Sequence, residues 1–287
     1  MNPTEGVMRL VISCPDRPGI VAAVSRFLFE EGANVITLDQ FASDPFDGGT
    51  FFLRMEFTLS AAARDGLPER FGLSIAERWD MTWRMWSAER PKRIAVLVSR
   101  EDHCLQELLW RWRRRELGGD VVLVASNHPT HRETVEGYGL PYHHVPVTKE
   151  GGKPESEARL LELLRGHCDV VVLARYMQIV SGEFLERLAV PVINIHHSFL
   201  PAFVGAEPYR QAKERGVKLI GATAHYVTAE LDGGPIIEQD VIRIGHDHDI
   251  PTLTRQGADI ERTVLARAVR WHCEDRVLRH GNQTVVF

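Results

Sequence analysis

One stretch of the chain holds the residue types that acyl-transfer chemistry needs. Between Pro191 and Glu238 the sequence reads Asn194-Ile195-His196-His197-Ser198, then Leu200-Pro201-Ala202-Phe203, and later Leu231-Asp232-Gly233-Gly234-Pro235. An amide can donate a hydrogen bond to an oxygen that gains charge. An imidazole can move a proton, and a carboxylate can orient that imidazole or a water molecule. A histidine on a strand is commonly structural and Asp-Gly-Gly is commonly a plain turn. Residue types alone therefore leave both readings open.

The elements around these residues decide whether they can meet. Residues 191–195 form a short apolar run with one polar position, which reads as a buried strand. Asn194 and His196 are two apart and so point to the same side of it. Pro201 stops regular structure. A second strand-like run, 221–227, leads into the turn that carries Asp232. His197 faces the opposite side if the first strand continues, which leaves it a supporting role at most.

From residue 93 onward, apolar runs at 94–98, 121–125, 143–147, 170–173 and 192–195 alternate with helical patterns at 103–117, 132–138, 155–165 and 182–188. That alternation predicts a doubly wound, mostly parallel sheet, with its ligand beyond the carboxyl ends of the strands. Residues 251–270 read as a further helix, and 277–287 as a closing hairpin with Asn282 at its tip.

Residues 1–88 read differently. An apolar run at 8–14 precedes the turn Asp16-Arg17-Pro18-Gly19, and 20–31 shows apolar residues at helical spacing that end at Gly32. Strands are expected at 35–41 and 50–59, a helix near 69–76, and a last strand through Met81, Trp83 and Met85. The order β-α-β-β-α-β is that of a ferredoxin-like sandwich. The polar stretch 86–93 reads as the linker, giving domains 1–88 and 93–287.

Composition narrows the function classes. The chain has 287 residues, 44% hydrophobic and 25% charged, as in an ordinary globular protein, and its net charge of −5 offers no basic surplus for nucleic acid. No apolar run is long enough for a membrane span, and the N-terminus lacks a secretion-signal pattern. The four cysteines are scattered without zinc spacing, so reduced thiols in the cytoplasm are expected and no metal site is assigned. His246-Asp247-His248-Asp249 reads as a polar loop.

Asn-x-His, Ser-x-Leu-Pro-Ala-Phe and Leu-Asp-Gly-Gly-Pro-Ile-Ile resemble the signature of the folate-dependent formyltransferase superfamily. His196-His197-Ser198-Phe199-Leu200 and Gly205-Ala206-Glu207-Pro208-Tyr209 are similar to its formyltetrahydrofolate deformylase branch. Cys14-Pro15-Asp16-Arg17-Pro18-Gly19-Ile20-Val21 with Gly32-Ala33-Asn34-Val35 resembles an ACT domain. The resemblance implies hydrolysis of 10-formyltetrahydrofolate to tetrahydrofolate and formate, with Asn194, His196 and Asp232 catalytic. It implies a folate-binding loop at Met177, Gln178, Ile179 and Val180, where some relatives place Arg at Gln178, and an opposite wall at Val227, Thr228, Ala229 and Glu230. Folate is then the substrate, and no metal or organic cofactor is needed. For the ACT part it implies pairing into a homo-oligomer and a pocket near Asp16, Arg17, Gly19, Ile20 and Asn34 for a small amino acid, glycine or methionine being reasonable. Formate supply for purine synthesis and balance of the folate pool both fit.

Relatives that formylate a ribonucleotide amine carry a Gly-rich phosphate turn after the first strand. Here Ser99-Arg100-Glu101-Asp102-His103-Cys104 has no glycine and two carboxylates, expected to satisfy the helix amides themselves and to repel phosphate. Water is then the remaining acceptor. The alternatives are a formyltransferase to an amine and a non-catalytic, amino-acid-sensing folate binder. An initiator-tRNA formyltransferase is disfavoured, because no basic C-terminal tRNA-binding domain is evident.

Overall fold

The computed structural model describes residues 6–44, 46–147, 152–202 and 208–287. Phe203 of the Leu-Pro-Ala-Phe motif and residues 205–207 of the Gly205–Tyr209 string lie outside the described residues, as do residues 1–5 and 45. The chain forms two compact units. One comprises 1–91 with 275–278 and 285–287; the other comprises 92–274 with 279–284.

The first unit runs β1 (Val7–Pro15), α1 (Ile20–Glu30), β2 (Asn34–Ala42), β3 (Thr50–Thr58), α2 (Ala61–Arg64), α3 (Leu67–Phe71) and β4 (Thr82–Ser87). Its antiparallel sheet has the order β2-β3-β1-β4, the ferredoxin-like arrangement. Alternate residues of β1 and β3, including Leu10, Ile12, Leu53, Met55 and Phe57, are buried with Ile20, Val24, Phe27 and Leu28 of α1. This is the half-buried pattern of a one-sided sheet. The helix expected at 69–76 is broken: α3 gives way to a π turn (Gly72–Ala76) and a 3-10 turn (Glu77–Trp79). Phe71 packs edge-on against both Phe27 and Trp83. Edge strand β2 leaves Val35, Ile36, Leu38 and Phe41 exposed.

The second unit runs β5 (Lys92–Val98), α4 (His103–Arg113), β6 (Gly119–Ser126), α5 (Arg132–Gly137), β7 (Tyr142–His144), α6 (Gly152–Leu164), β8 (Val170–Ala174), α7 (Gly182–Leu188), β9 (Val192–His196), α8 (Pro208–Arg215), β10 (Leu219–Tyr226), β11 (Ile236–Arg243) and α9 (Ile250–Cys273). A hairpin, β12 (Val277–His280) and β13 (Gln283–Val286), follows. The seven-stranded sheet has the order β11-β10-β9-β8-β5-β6-β7. It is parallel from β9 to β7, and β10 and β11 are added antiparallel. Ile94–Val98 and all of β8 are buried, as continuous apolar strands covered on both faces must be.

β5 lies between β6 and β8, so the chain reverses direction across the sheet at the β5/β8 boundary. That switch point opens a crevice at the carboxyl ends of the strands. α4 ends at Arg113 rather than 117, before Arg115 and Gly118 in left-handed conformation. The connection between the last strand of the first unit and β5 is only 88–91, since Trp86 and Ser87 belong to β4 and Lys92 and Arg93 to β5. α9, the longest helix among the described residues, is capped by Asp249 accepting from Thr252 N at 2.9 Å and has Pro251 in its first turn.

Candidate active site

β9 ends at His196, and the antiparallel register with β10 sets Asn194 across from His225 and His196 across from Thr223. The chain leaves the strand there because β10 and β11 hold the next segment. Thr223 Oγ1 donates to Ser198 O at 2.9 Å and accepts from Leu200 N at 3.0 Å, while Gln239 Nε2 donates to Leu200 O at 2.9 Å. His197 is consequently not on an opposite strand face. Its ring lies 5.3 Å from that of His196 and 6.1 Å from that of Tyr209. Burial, followed by the nearby Arg175 charge, pushes its imidazole down to about 4, so it is neutral at ordinary pH.

Asp232 sits in the turn after β10 in left-handed conformation, φ 54°, which Asp tolerates better than most residues. Asn282 at the hairpin tip donates to Gly233 O at 3.0 Å and holds that turn. The structure brings Asp232 Oδ2 to 3.3 Å from His196 Nδ1, and Oδ1 to 3.7 Å from His225 Nε2. The contact with His196 outweighs burial and lowers the carboxyl below its ordinary value. Burial lowers His225, so its ring is neutral. Its Nδ1 faces Tyr226 O at 3.0 Å, a contact only a protonated Nδ1 can make favourably. Its Nε2 then accepts from Asn194 Nδ2 at 3.2 Å. This fixes the Asn194 amide and leaves its second N–H to donate elsewhere. His196 Nε2, on the far side from Asp232, is buried without a hydrogen-bond partner among the described residues.

Thus Asn194, His196 and Asp232 converge, and His225 joins them as a residue that sequence reasoning missed. Its signal was present: Thr223 and His225 alternate along β10 with the same period as Asn194 and His196 on β9.

The two segments expected to wall a folate lie beside each other. Val180 and Val227 pack on the same buried cluster, and a side chain added at Gly182 would meet Ala229 at 3.6 Å. Met177 and Ile179 are 56% and 62% exposed, an apolar surface of the kind a planar ligand covers. Gln178 is half-buried, and Thr228, Ala229 and Glu230 are exposed.

After β5, Ser99 N donates to Arg175 O at 3.2 Å and Ser99 Oγ bonds Asn127 Oδ1 at 2.7 Å, so this turn is tied internally. The expectation that its carboxylates cap the helix amides is corrected: Asp102 is the N-cap residue but makes no side-chain cap bond, and accepts from Gln106 Nε2 at 3.3 Å instead.

Beyond the same strand ends lies a second polar group. Glu261 of α9, 1% exposed, bonds His103 Nε2 at 2.8 Å and accepts from Tyr209 Oη at 2.6 Å, with Arg175 Nε at 3.5 Å. Burial alone would push its carboxyl up; the His103 bond and the Arg175 charge outweigh it and hold it at about 2. His103, Cys104 and Glu261 have potential ligand atoms within 4.8 Å of one another. The carboxylate is already hydrogen-bonded to His103 and Tyr209 and ion-paired with Arg175, which disfavours a metal there.

In the first unit a cavity of about 600 Å³ is lined by Asp16, Arg17, Gly19 and Ile20 together with Gln40 and Phe51; Asn34 is not among its lining residues. Arg17 is partly engaged, donating to Arg78 O at 2.8 Å and lying 4.5 Å over Trp79. No helix of the described residues is long and apolar enough to cross a membrane.

Residues 92–269 match the Formyl transferase family and residues 8–59 the ACT domain family. The chain is 56% identical over 281 residues to a formyltetrahydrofolate deformylase of Mycobacterium tuberculosis, covering 97% of this chain and 90% of that one. It is 52% identical over 282 residues to that of Bacillus subtilis, covering 97% and 93%. The crystal structure of a formyltetrahydrofolate deformylase from Pseudomonas syringae superimposes with a TM-score of 0.92 at 50% identity, covering 98% of this chain and 94% of that one. With the fold, the β9/β10 register and full-length similarity in agreement, the chain belongs to the formyltetrahydrofolate deformylase family.

Proposed function

We propose that the second unit hydrolyses 10-formyltetrahydrofolate through Asn194, His196 and Asp232, with His225 positioning Asn194. The observation that carries this reading is the setting of His196: Nδ1 faces the Asp232 carboxylate and Nε2 is buried without a partner. A neutral imidazole held with Nδ1–H toward Asp232 presents a free lone pair at Nε2. Water attacks the formyl carbon while Nε2 takes one of its protons. Asn194 Nδ2 donates to the formyl oxygen as its charge grows. Nε2 then returns the proton to N10 as the C–N10 bond breaks, and Asp232 stabilises the transient imidazolium. Tetrahydrofolate and formate leave. The pteridine is held between 177–180 and 227–230.

We propose further that the first unit's cavity takes a small amino acid, glycine or methionine, and that the apolar β2 edge pairs with a second copy to give a homo-oligomer. The enzyme works in the cytoplasm, and its formate serves purine synthesis. The deciding assay incubates the purified protein with 10-formyltetrahydrofolate and no amine and measures formate. Formate is the expected product; formyl transfer only on addition of an amine would overturn the hydrolytic reading. Calorimetry with glycine and methionine tests the cavity, and no heat from either leaves only the pairing role.

A further inference from the structure

We infer that Arg175, Tyr209, Glu261 and His103 form a built-in plug on the acceptor side of the cleft, which restricts the attacking nucleophile to water. The inference rests on the hydrolytic reading above and names what sets its specificity.

The four side chains come from four different elements and meet where a doubly wound sheet keeps its ligand crevice. Arg175 directly follows β8 and His103 opens α4 just after β5, so they stand on the two strand ends that flank the switch point. Tyr209 on α8 and Glu261 on α9 close over them. Tyr209 is 8% exposed, and the Glu261 carboxylate joins His103, Tyr209 and Arg175 into one group. Gly257, one turn before Glu261 on α9, leaves the room that the Tyr209 hydroxyl occupies, because a Cβ there would overlap it. The plug reaches the reaction centre through His197, whose ring contacts those of His196 and Tyr209.

Stability alone gives a weak reason for this filling. A buried ionic group is often no better than well-packed apolar side chains of the same volume. What it adds is occupancy in a fixed arrangement. Arg175 Nε pairs with the Glu261 carboxylate at 3.5 Å and Nη1 is buried without a hydrogen-bond partner among the described residues, so the guanidinium fills this space and is held there by its counter-charge. Water, a single heavy atom, passes where a larger nucleophile does not. Arg175 also adopts φ 62°, a left-handed conformation unfavourable for a long side chain. The guanidinium is therefore set at this place at a backbone cost.

Either nucleophile balances the reaction without a further reagent. Water bonds through oxygen to the formyl carbon, the C–N10 bond breaks, one water proton passes through His196 to N10, and formic acid ionises. An amine in its place bonds through nitrogen, and the proton it loses goes to N10. The choice is made by access alone.

The test is partition between the two. The full-length protein turns over 10-formyltetrahydrofolate with increasing hydroxylamine, and formate and formohydroxamate are both measured. Wild type gives formate at every hydroxylamine concentration. Arg175→Gly, at a position whose backbone suits glycine, and Tyr209→Ala each raise the formohydroxamate fraction by roughly tenfold or more, the scale on which one pocket side chain discriminates. If both variants partition as wild type does while still releasing formate, the plug is refuted. The same holds if wild type forms formohydroxamate readily. If Tyr209→Ala fails to fold, Tyr209→Phe and Arg175→Gly decide between these outcomes. A wild type that releases no formate at all refutes instead the hydrolytic reading on which the plug rests.

Discussion

Asp232→Asn separates chemistry from structure at this site. Asn tolerates the left-handed backbone at 232 as Asp does, so the turn holding Gly233 to Asn282 is preserved. What changes is charge. The carboxylate oxygen lies 3.3 Å from His196 Nδ1. With an effective dielectric of about 20, a unit charge pair at that distance is worth about 5 kcal/mol. That energy is available to the imidazolium formed in the reaction and is largely absent with an amide. The amide also favours the tautomer with hydrogen on Nε2, which turns the base into a donor. A carboxylate-to-amide change in a Ser-His-Asp triad costs about 10⁴ in kcat, and about 5 kcal/mol corresponds to a factor of similar size. We expect kcat for formate release to fall by about 10³–10⁴, with folate affinity within roughly threefold of wild type. Stopped-assay formate measurement and fluorescence titration with folate check the two halves. A kcat within tenfold of wild type, or a loss found mainly in affinity, would refute the assignment of Asp232 and the charge argument behind it.

Four further outcomes are expected. Asn194→Ala removes the formyl-oxygen donor and lowers kcat by about 10²–10³. His225→Phe keeps the buried volume but leaves the Asn194 amide unheld, for a loss of roughly 10²; wild-type kcat in His225→Phe would show that the amide needs no second support. Glu261 has a depressed folded pKa, about 2 against 4.5, so its stabilising contribution is complete above the unfolded value and is lost as pH falls from there toward about 2. That shift amounts to about 3 kcal/mol. Denaturant titrations of Glu261→Gln at pH 7 and pH 3 should show a flatter acid limb than wild type, and parallel curves would remove Glu261 from the account. Gly257→Ala, normally favourable in a helix by about 1 kcal/mol, should instead destabilise by about 1–3 kcal/mol, because Tyr209 must move; thermal unfolding reads the sign.

Much of this fold was legible in the sequence because its strands are unusual. β5, β8 and β9 are short apolar runs between helical patterns, and only a covered parallel sheet produces that alternation. The proposed catalytic residues could be grouped from sequence because strand period sets Asn194 and His196 on one side before any tertiary contact is known. β11 was not foreseen. It carries Glu238, Gln239 and Asp240 in its middle, which reads as a polar segment until its edge position next to β10 is known. The Glu261 group was equally hidden. His103, Arg175, Tyr209 and Glu261 are spread over more than 150 residues, and each alone reads as a surface polar residue. Their partnership exists only after α9 packs on α4 and β10. His197 faced the opposite side only if the strand continued; β9 ends at His196, just before Thr223 and Gln239 take hold of Ser198 and Leu200.

The sulfur atoms of this protein are distributed in a way that sets how it should age in an oxidising medium. All four thiols are buried, and burial pushes Cys14 and Cys168 up to about 11 and Cys104 well above its ordinary value, so the reactive thiolate is scarce at those three. The Met177 side chain, by contrast, is exposed on the proposed folate wall. Among the described residues peroxide meets that methionine first, and its sulfoxide would put a polar group where the proposed pteridine site wants an apolar one. On the proposed reading, oxidative wear weakens substrate capture before it touches the residues assigned to proton transfer, and methionine sulfoxide reductase, not a thiol reductant, restores it.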